Sequence, residues 1–310
     1  MFVVRHCRSA GLAVVAAVFL MGLSSVAHAQ GAWVGEPKTL SVDLSYQYVP
    51  SSAVVVSPDI EVADRPTRNH VFTLGAKYVP IEKLAIEGAL PLAMLKYAGT
   101  TAHMPPGAWD DGNYHTTLTD LRVGARYQLL EEAVALSPHL AVSIPLMDYE
   151  VIGFATGGRH LKQLHIGASI GRTLDPWVPN MYLMGSYELS LAEHYDATPV
   201  TEDIGQARSD LEAQIGYLFL DGALSFNLAG SWRIQHGGIG FEDFSTPGFS
   251  QDLILNHDPL LDEEFVFLGG GASYSVTETV AVSAVVRFFV RGHNTRDQNL
   301  FGLNVSWDVF

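Results

Sequence analysis

Apolar and polar residues alternate in short segments from residue 39 to the C-terminus. A period of two is typical of β-strands that have one face in apolar and the other in polar surroundings. Most segments are near the ~9–11 residues that a tilted strand needs to cross a bilayer. Twelve strands are predicted, at residues 39–49, 70–78, 84–97, 117–130, 134–145, 163–174, 180–192, 209–220, 223–235, 264–276, 280–291 and 300–310.

The connections between these segments are alternately short and mostly long. Five are tight, and Asp221-Gly222 is a strong hairpin signal among them. The long connections are polar, and the longest covers residues 236–263. Short turns at one end and long loops at the other predict an all-β, up-and-down antiparallel transmembrane barrel of about 12 strands. The turns would lie in the periplasm and the loops outside the cell.

The same alternation predicts which side chains face the barrel lumen. In the fourth segment, a slip of one residue would place Arg122 and Arg126 in lipid. Each would cost about 2–4 kcal/mol near the midplane, so the register is well determined. The ionisable residues predicted to line the lumen are Asp43, Lys77, Glu87, Asp120, Arg122, Arg126, His139, Asp210, Glu212, Arg233, Arg287 and Arg291.

The N-terminus has the organisation of a secretory signal peptide. Arg5 and Arg8 precede an apolar run, and a small-x-small pattern ends at Ala29. We expect cleavage after Ala29, which leaves residues 30–310 as the barrel in the bacterial outer membrane. The one cysteine, Cys7, would leave with the signal peptide, so the mature chain would have no disulfide and no thiol nucleophile.

Composition agrees with a barrel. The chain is 48% hydrophobic and 16% charged, yet beyond the signal peptide it has no apolar stretch of about 18 residues that could form a membrane helix. A soluble β-sandwich would explain the alternation, but not the signal peptide or the aromatic residues near the strand ends. The net charge is −15, and loss of the two leader arginines makes it −17, which argues against nucleic acid as a partner. The expected partners are outer-membrane lipid, lipopolysaccharide, the barrel-assembly machinery and a small-molecule solute.

Three segments resemble a known family. Thr119-Asp120-Leu121-Arg122-Val123-Gly124-Ala125-Arg126-Tyr127, Ser143-Ile144-Pro145-Leu146 and Arg291-Gly292-His293-Asn294-Thr295 are similar to strands and a final hairpin of the outer-membrane proteins grouped with the meta-pathway transporters of phenol degradation. The resemblance implies a barrel of this size and uptake of small compounds, often aromatic or hydrophobic. It transfers no defined site.

Catalytic motifs find no support in their surroundings. Gly167-Ala168-Ser169-Ile170-Gly171 matches the G-x-S-x-G pattern, but it lies within a predicted strand and no helix follows it. His165 shares the face of Ser169 at a distance of about 13 Å along the strand, beyond hydrogen-bond reach. His139 on a neighbouring strand leaves a cross-strand pair open. The sequence therefore assigns no catalytic residue and no cofactor, and we expect no enzyme activity.

Histidines and carboxylates gather in the long loops. Such mixtures suit zinc, copper or nickel, yet no two histidines have a tight ligand spacing, so no metal site is assigned. The histidines are His103, His115, His160, His194, His236, His257 and His293. The acidic residues are Asp110, Asp111, Asp148, Glu150, Glu193, Asp196, Glu202, Asp203, Glu242, Asp243, Asp258, Asp262 and Glu263.

The functional hypothesis is a passive channel for small solutes. Twelve strands lie between the roughly eight that side chains can fill and the sixteen or so that leave an aqueous channel. Residues 31–37 are short and would at most reach into the periplasmic mouth, so no ordered N-terminal plug is expected. Two alternatives stay open: a barrel-embedded lipid hydrolase, which requires a serine and a histidine to converge, and a closed structural or adhesion barrel.

Overall fold

A computed structural model describes residues 31–194, 207–247 and 250–310 of the chain. The predicted signal peptide at residues 1–29 lies outside the described residues, as do Asp196, Glu202 and Asp203. Within the described ranges, no helix has both the length and the apolar character needed to span a membrane.

Nearly all of the regular structure is β-strand. The strands are β1 (Thr39–Ser51), β2 (Val54–Ser57), β3 (Ile60–Val62), β4 (Thr67–Ile81), β5 (Leu84–Leu95), β6 (His115–Leu118), β7 (Asp120–Tyr127), β8 (Ala135–Pro145), β9 (Gln163–Thr173), β10 (Met181–Ala192), β11 (Ala207–Phe219), β12 (Leu224–His236), β13 (Glu264–Ser275), β14 (Val280–His293), β15 (Thr295–Arg296) and β16 (Leu300–Asp308). Short helical turns cover Leu220–Gly222, Phe241–Ser245, Gln251–Leu255 and Asp258–Leu260.

The large sheet is antiparallel and closes on itself. Its order is β4-β1-β16-β14-β13-β12-β11-β10-β9-β8-β7-β5-β6, and β4 also pairs with β5. Both β6 and β7 pair with β5, so they are two parts of one strand interrupted at Thr119. The result is the predicted 12-strand barrel, with the predicted strands in order. The small sheet β15-β2-β3 lies in the loops and was not predicted.

The pleat places apolar side chains outside and polar side chains inside, as the alternation predicts. On β1, the inward-facing Ser45 and Gln47 are each 5% exposed, whereas the outward-facing Leu44 is 57% exposed. On β7, Arg126 is buried while Val123 and Tyr127 are exposed. The outer face of the barrel is thus apolar, as contact with the hydrocarbon of a lipid bilayer requires.

The prediction that Arg291 faces the lumen is wrong, because β14 contains a bulge just before this residue. Phe289 pairs with Phe267, and Arg291 pairs with Val266, so Val290 between them has no opposite residue. An extra residue reverses the alternation of the strand beyond it. Arg291 therefore lies on the outer face, where its side chain is 61% exposed and its guanidinium is 4.0 Å from Glu264.

Candidate functional site: the barrel lumen and its two ends

Apart from Arg291, the ionisable residues predicted to line the lumen lie on the inner face of the barrel. They come from eight of the strands and share the inward parity of each strand. These residues are Asp43 on β1, Lys77 on β4, Glu87 on β5, Asp120, Arg122 and Arg126 on β7, His139 on β8, Asp210 and Glu212 on β11, Arg233 on β12 and Arg287 on β14.

Glu188 on β10 is the centre of one group of inward side chains, the Glu188 cluster. Arg122 donates two hydrogen bonds to its carboxylate, at 2.9 and 2.5 Å. His139 Nε2 lies 2.9 Å from Oε2, and His165 Nδ1 lies 3.1 Å from Oε1. Glu188 was not among the residues predicted to line the lumen, although its parity with Ser186 and Ser190 on β10 places it inside.

A second group of inward side chains, the Asp210 cluster, comes from β11, β12 and β14. Asp210 accepts hydrogen bonds from Arg208 at 3.1 Å and from Arg233 at 2.6 Å. Arg287 pairs with Glu212 at 2.6 Å. Arg208 was also missed, although it has the same parity as Asp210 on β11.

These ion pairs link strands that are not neighbours in the barrel. Arg122 reaches from β7 past β8 and β9 to Glu188 on β10, and Arg287 reaches from β14 past β13 and β12 to Glu212 on β11. Each pair thus spans a quarter of the twelve-strand circumference. Opposite charges that neutralise one another in this way brace the wall, because an uncompensated charge there would be costly.

An N-terminal segment, residues 31–36, enters the barrel at the short-turn end. The expectation that no ordered N-terminal plug is present is therefore wrong. Ser137 donates a hydrogen bond to the Ala32 carbonyl at 2.7 Å, and the Val34 amide donates to Gln128 at 2.9 Å. Arg126 donates to the Gly31 carbonyl. Ala32 and Val34 are almost fully buried. We call residues 31–36 the inner cover.

The loop at residues 146–162 covers the long-loop end. Phe154 and Ala155 are buried against inward-facing residues of β5 and the loop after it. Their amides donate to the carboxylate of Asp110, at 2.9 Å and 2.8 Å. The guanidinium groups of Arg65 and Arg296 lie over the Phe154 ring, at 5.7 and 5.3 Å. We call this arrangement the outer cover.

Three arginines, Arg159, Arg208 and Arg233, gather at the outer cover beside the carboxylates of Asp210 and Glu263. The Arg159 guanidinium donates to Gln235 at 3.1 Å and to the Pro259 carbonyl at 2.9 Å, and its buried Nη2 has no hydrogen-bond partner among the described residues. Burial, helped by the nearby guanidinium groups of Arg208 and Arg233, lowers the pKa of Arg159 to about 10. Arg159 is therefore a cation with unused donor capacity.

A serine and a histidine do converge inside the barrel, but at Ser143 and not at Ser169. Ser143 Oγ lies 2.8 Å from His165 Nε2, and the other ring nitrogen of His165 faces Glu188 and Ser190. Ser169, the serine of the G-x-S-x-G match, instead accepts a hydrogen bond from Arg126 at 2.9 Å. The sequence could not predict the Ser143 contact, because it depends on the register between β8 and β9.

Comparisons with known proteins support the fold alone. No family model and no curated protein matches the sequence. An outer membrane channel from Pseudomonas putida F1 is similar in structure, with a TM-score of 0.66 and 12% identity over 90% of this chain and 98% of that chain. The translocator domain of the autotransporter NalP from Neisseria meningitidis has a TM-score of 0.50 and 11% identity over 87% of this chain and 88% of that chain. The chain thus has the fold of an outer-membrane β-barrel.

Proposed function

We propose that the protein is an outer-membrane channel through which small solutes diffuse passively. One observation above all supports this proposal: the twelve-stranded barrel is covered at each end by a chain segment that is separate from the strands of its wall. A twelve-stranded barrel has a wider bore than an eight-stranded barrel, whose interior side chains can fill. In this proposal the short turns face the periplasm, and the described conformation is the closed one.

The solute class that we propose is small aromatic compounds that carry an acidic group. Arg159, Arg208 and Arg233 lie close together beneath the outer cover, and Arg159 has a free donor. Inward-facing aromatic rings accompany them, since the Arg233 guanidinium lies 5.1 Å from the ring centre of Phe265. Guanidinium groups bind carboxylates well, and aromatic rings stack on one another and on guanidinium planes. The aromatic part agrees with what the family resemblance implies.

Single-channel recording in planar bilayers tests the channel role. Protein purified from outer membranes is expected to give discrete openings that benzoate-like acids block at lower concentration than phenols or sugars do. Arg159→Gln should weaken the block by the acids, whereas the same change at the outward-facing Arg291 should leave it unaltered. Protein that is shown to be folded but is silent, including after both covers are removed, would favour the closed structural barrel.

A second candidate function, ester hydrolysis at Ser143, is favoured by one specific contact set. Ser143 Oγ, His165 and the Glu188 carboxylate follow one another at 2.8 and 3.1 Å, which suits a nucleophile, a base and the group that orients the base. However, Ser143 lies within β8 between β7 and β9, where the backbone amides serve strand pairing instead of forming an oxyanion hole.

A fluorophosphonate probe tests this second candidate. Labelling of the folded protein that is lost in Ser143→Ala and retained in Ser169→Ala would support a hydrolase. Lack of labelling in the native protein, with no turnover of phospholipid or short-chain esters, would leave Ser143 and His165 as part of the Glu188 cluster.

A further inference from the structure

Two long loops meet at two histidines and an aspartate. His103 comes from the loop between β5 and β6, and His257 and Asp258 come from the loop between β12 and β13. One donor atom from each residue lies within 4.8 Å of the other two. The side chains of His103 and His257 are 7% and 5% exposed, and that of Asp258 is 14% exposed.

In both imidazoles the same ring nitrogen, Nε2, is free to bind a cation. His103 Nδ1 lies 2.6 Å from the Pro105 carbonyl, and His257 Nδ1 lies 2.8 Å from the Ile254 carbonyl. Because a carbonyl oxygen can only accept, each Nδ1 carries the proton, and in the neutral ring each Nε2 has a lone pair. Histidines that bind metals usually have their second nitrogen fixed in this way.

Both free nitrogens face one carboxylate oxygen. His103 Nε2 is 3.4 Å and His257 Nε2 is 3.5 Å from Asp258 Oδ1. A charge-assisted hydrogen bond would be shorter, at about 2.7–2.9 Å. In contrast, two atoms that each lie ~2.0–2.1 Å from a tetrahedral zinc ion are about 3.4 Å apart. The two separations from Asp258 therefore match the edge of a tetrahedral zinc shell, and the two Nε2 atoms lie within 4.8 Å of each other.

The surroundings hold this arrangement in place. The second oxygen of Asp258 accepts a hydrogen bond from the Gly153 amide at 2.9 Å, which orients the carboxylate and adds the loop of the outer cover. The Phe154 ring meets His103 edge-on at 4.8 Å, and the Phe244 ring meets His257 edge-on at 5.0 Å. Such an apolar shell limits the access of water and strengthens binding of a cation by its ligands.

We propose that His103, His257 and Asp258 bind a divalent transition-metal ion, for which zinc has the best-fitting geometry. The two Nε2 atoms and one oxygen of Asp258 would supply three ligands, and water would take a fourth position. Two imidazoles and a carboxylate favour zinc and its neighbours over magnesium and calcium, which prefer oxygen ligands. The site joins loops that are more than 150 residues apart in sequence, counted from His103 to His257.

Metal binding would also fasten the outer cover. Through Asp258 and the Gly153 amide, the ion would link both of its ligand loops to the loop that carries Phe154. This consequence rests on the proposed channel function, whereas the metal site itself does not. A bound ion is therefore expected to reduce the frequency of channel openings, and a chelator is expected to increase it.

The test uses untagged protein purified from outer membranes and treated with a chelator. Titration with Zn²⁺ is expected to show one saturable site per chain, and Co²⁺ in its place should give the visible absorption of a tetrahedral complex. His103→Gln, His257→Gln and Asp258→Asn should each weaken zinc binding about tenfold or more. His115→Gln is the matched control, because His115, the first residue of β6, also has a carboxylate partner, Asp111 at 2.9 Å, and lies outside the cluster.

The outcomes separate the metal site from the channel. Zinc binding that the three variants lose and His115→Gln keeps would support the site, even if no channel opens. Native protein that gives no tetrahedral cobalt spectrum, or binding that the ligand variants retain, would overturn it. Should a variant fail to fold, as judged by its mobility on unheated gels, the cobalt spectrum of the native protein decides the question.

Discussion

The two covers of the barrel are held by different kinds of contact. The inner cover is a single stretch, residues 31–36, fixed largely by hydrogen bonds between its backbone and the wall. The outer cover combines several loops through carboxylates, arginines and aromatic rings, and it includes the carboxylate of Asp110 beneath buried amides. For the proposed channel we therefore expect the two ends to open independently of each other.

The largest effect is expected from a change to the wall on which both covers rest. Glu188→Ala leaves Arg122, His139 and His165 without their shared carboxylate, so the free energy of unfolding should fall by about 3–5 kcal/mol. Urea unfolding followed by gel mobility measures this change. Glu131→Ala, which breaks a more exposed pair with Lys83 at 2.7 Å, should change stability far less, because solvent screens this pair. Equal losses in the two variants would contradict the bracing role of the Glu188 cluster.

The next effect distinguishes the outer cover from the inner one. Asp110→Ala removes the acceptor of the Phe154 and Ala155 amides, and each orphaned amide costs about 1–3 kcal/mol. The loop at residues 146–162 should therefore be cleaved much faster by an added protease. Asp111→Ala is the control, since this exposed neighbour bonds only Asn113 and His115 among the described residues. Similar cleavage rates for the two variants would show that Asp110 does not hold the cover.

A smaller effect should appear at the inner cover alone. Gln128→Ala leaves the Val34 amide without its acceptor, which costs about 1–3 kcal/mol for one amide where Asp110→Ala orphans two. Because the predicted mature chain has no cysteine, a Val34→Cys background permits labelling with a maleimide from the periplasmic side. The added Gln128→Ala should increase the labelling rate several-fold without altering protease cleavage of the outer loop. If both readouts change together, the two covers are coupled and the comparison fails.

The barrel could be predicted from the sequence because the pleat of each strand turns alternate side chains to lipid and to the lumen. Lipid requires apolar residues and the lumen accepts polar ones, so the two types alternate along each strand. This alternation placed Arg122, Arg126 and Asp210 inside, and it would have placed Glu188 there as well. It failed at Arg291, because a bulge at Val290 is compatible with the same residue pattern.

The ends of the barrel could not be predicted in the same way. Loops have no period, so nothing in the sequence brings His103 to His257 or Phe154 to Asp110. These contacts depend on how distant loops fold over a closed barrel. The inner cover is likewise only six residues, 31–36, and its Ala32 and Val34 carry no motif that distinguishes a plug from a linker.

We propose that a solute path runs through the lumen between two independently removable covers. Single-channel recording of a variant that lacks residues 31–36 and carries Asp110→Ala tests it most directly. We predict sustained openings in this double variant and only brief or rare ones in either single variant, with benzoate-like acids as blockers. Folded double variant that remains silent in the bilayer would contradict the claim and leave the protein a closed barrel.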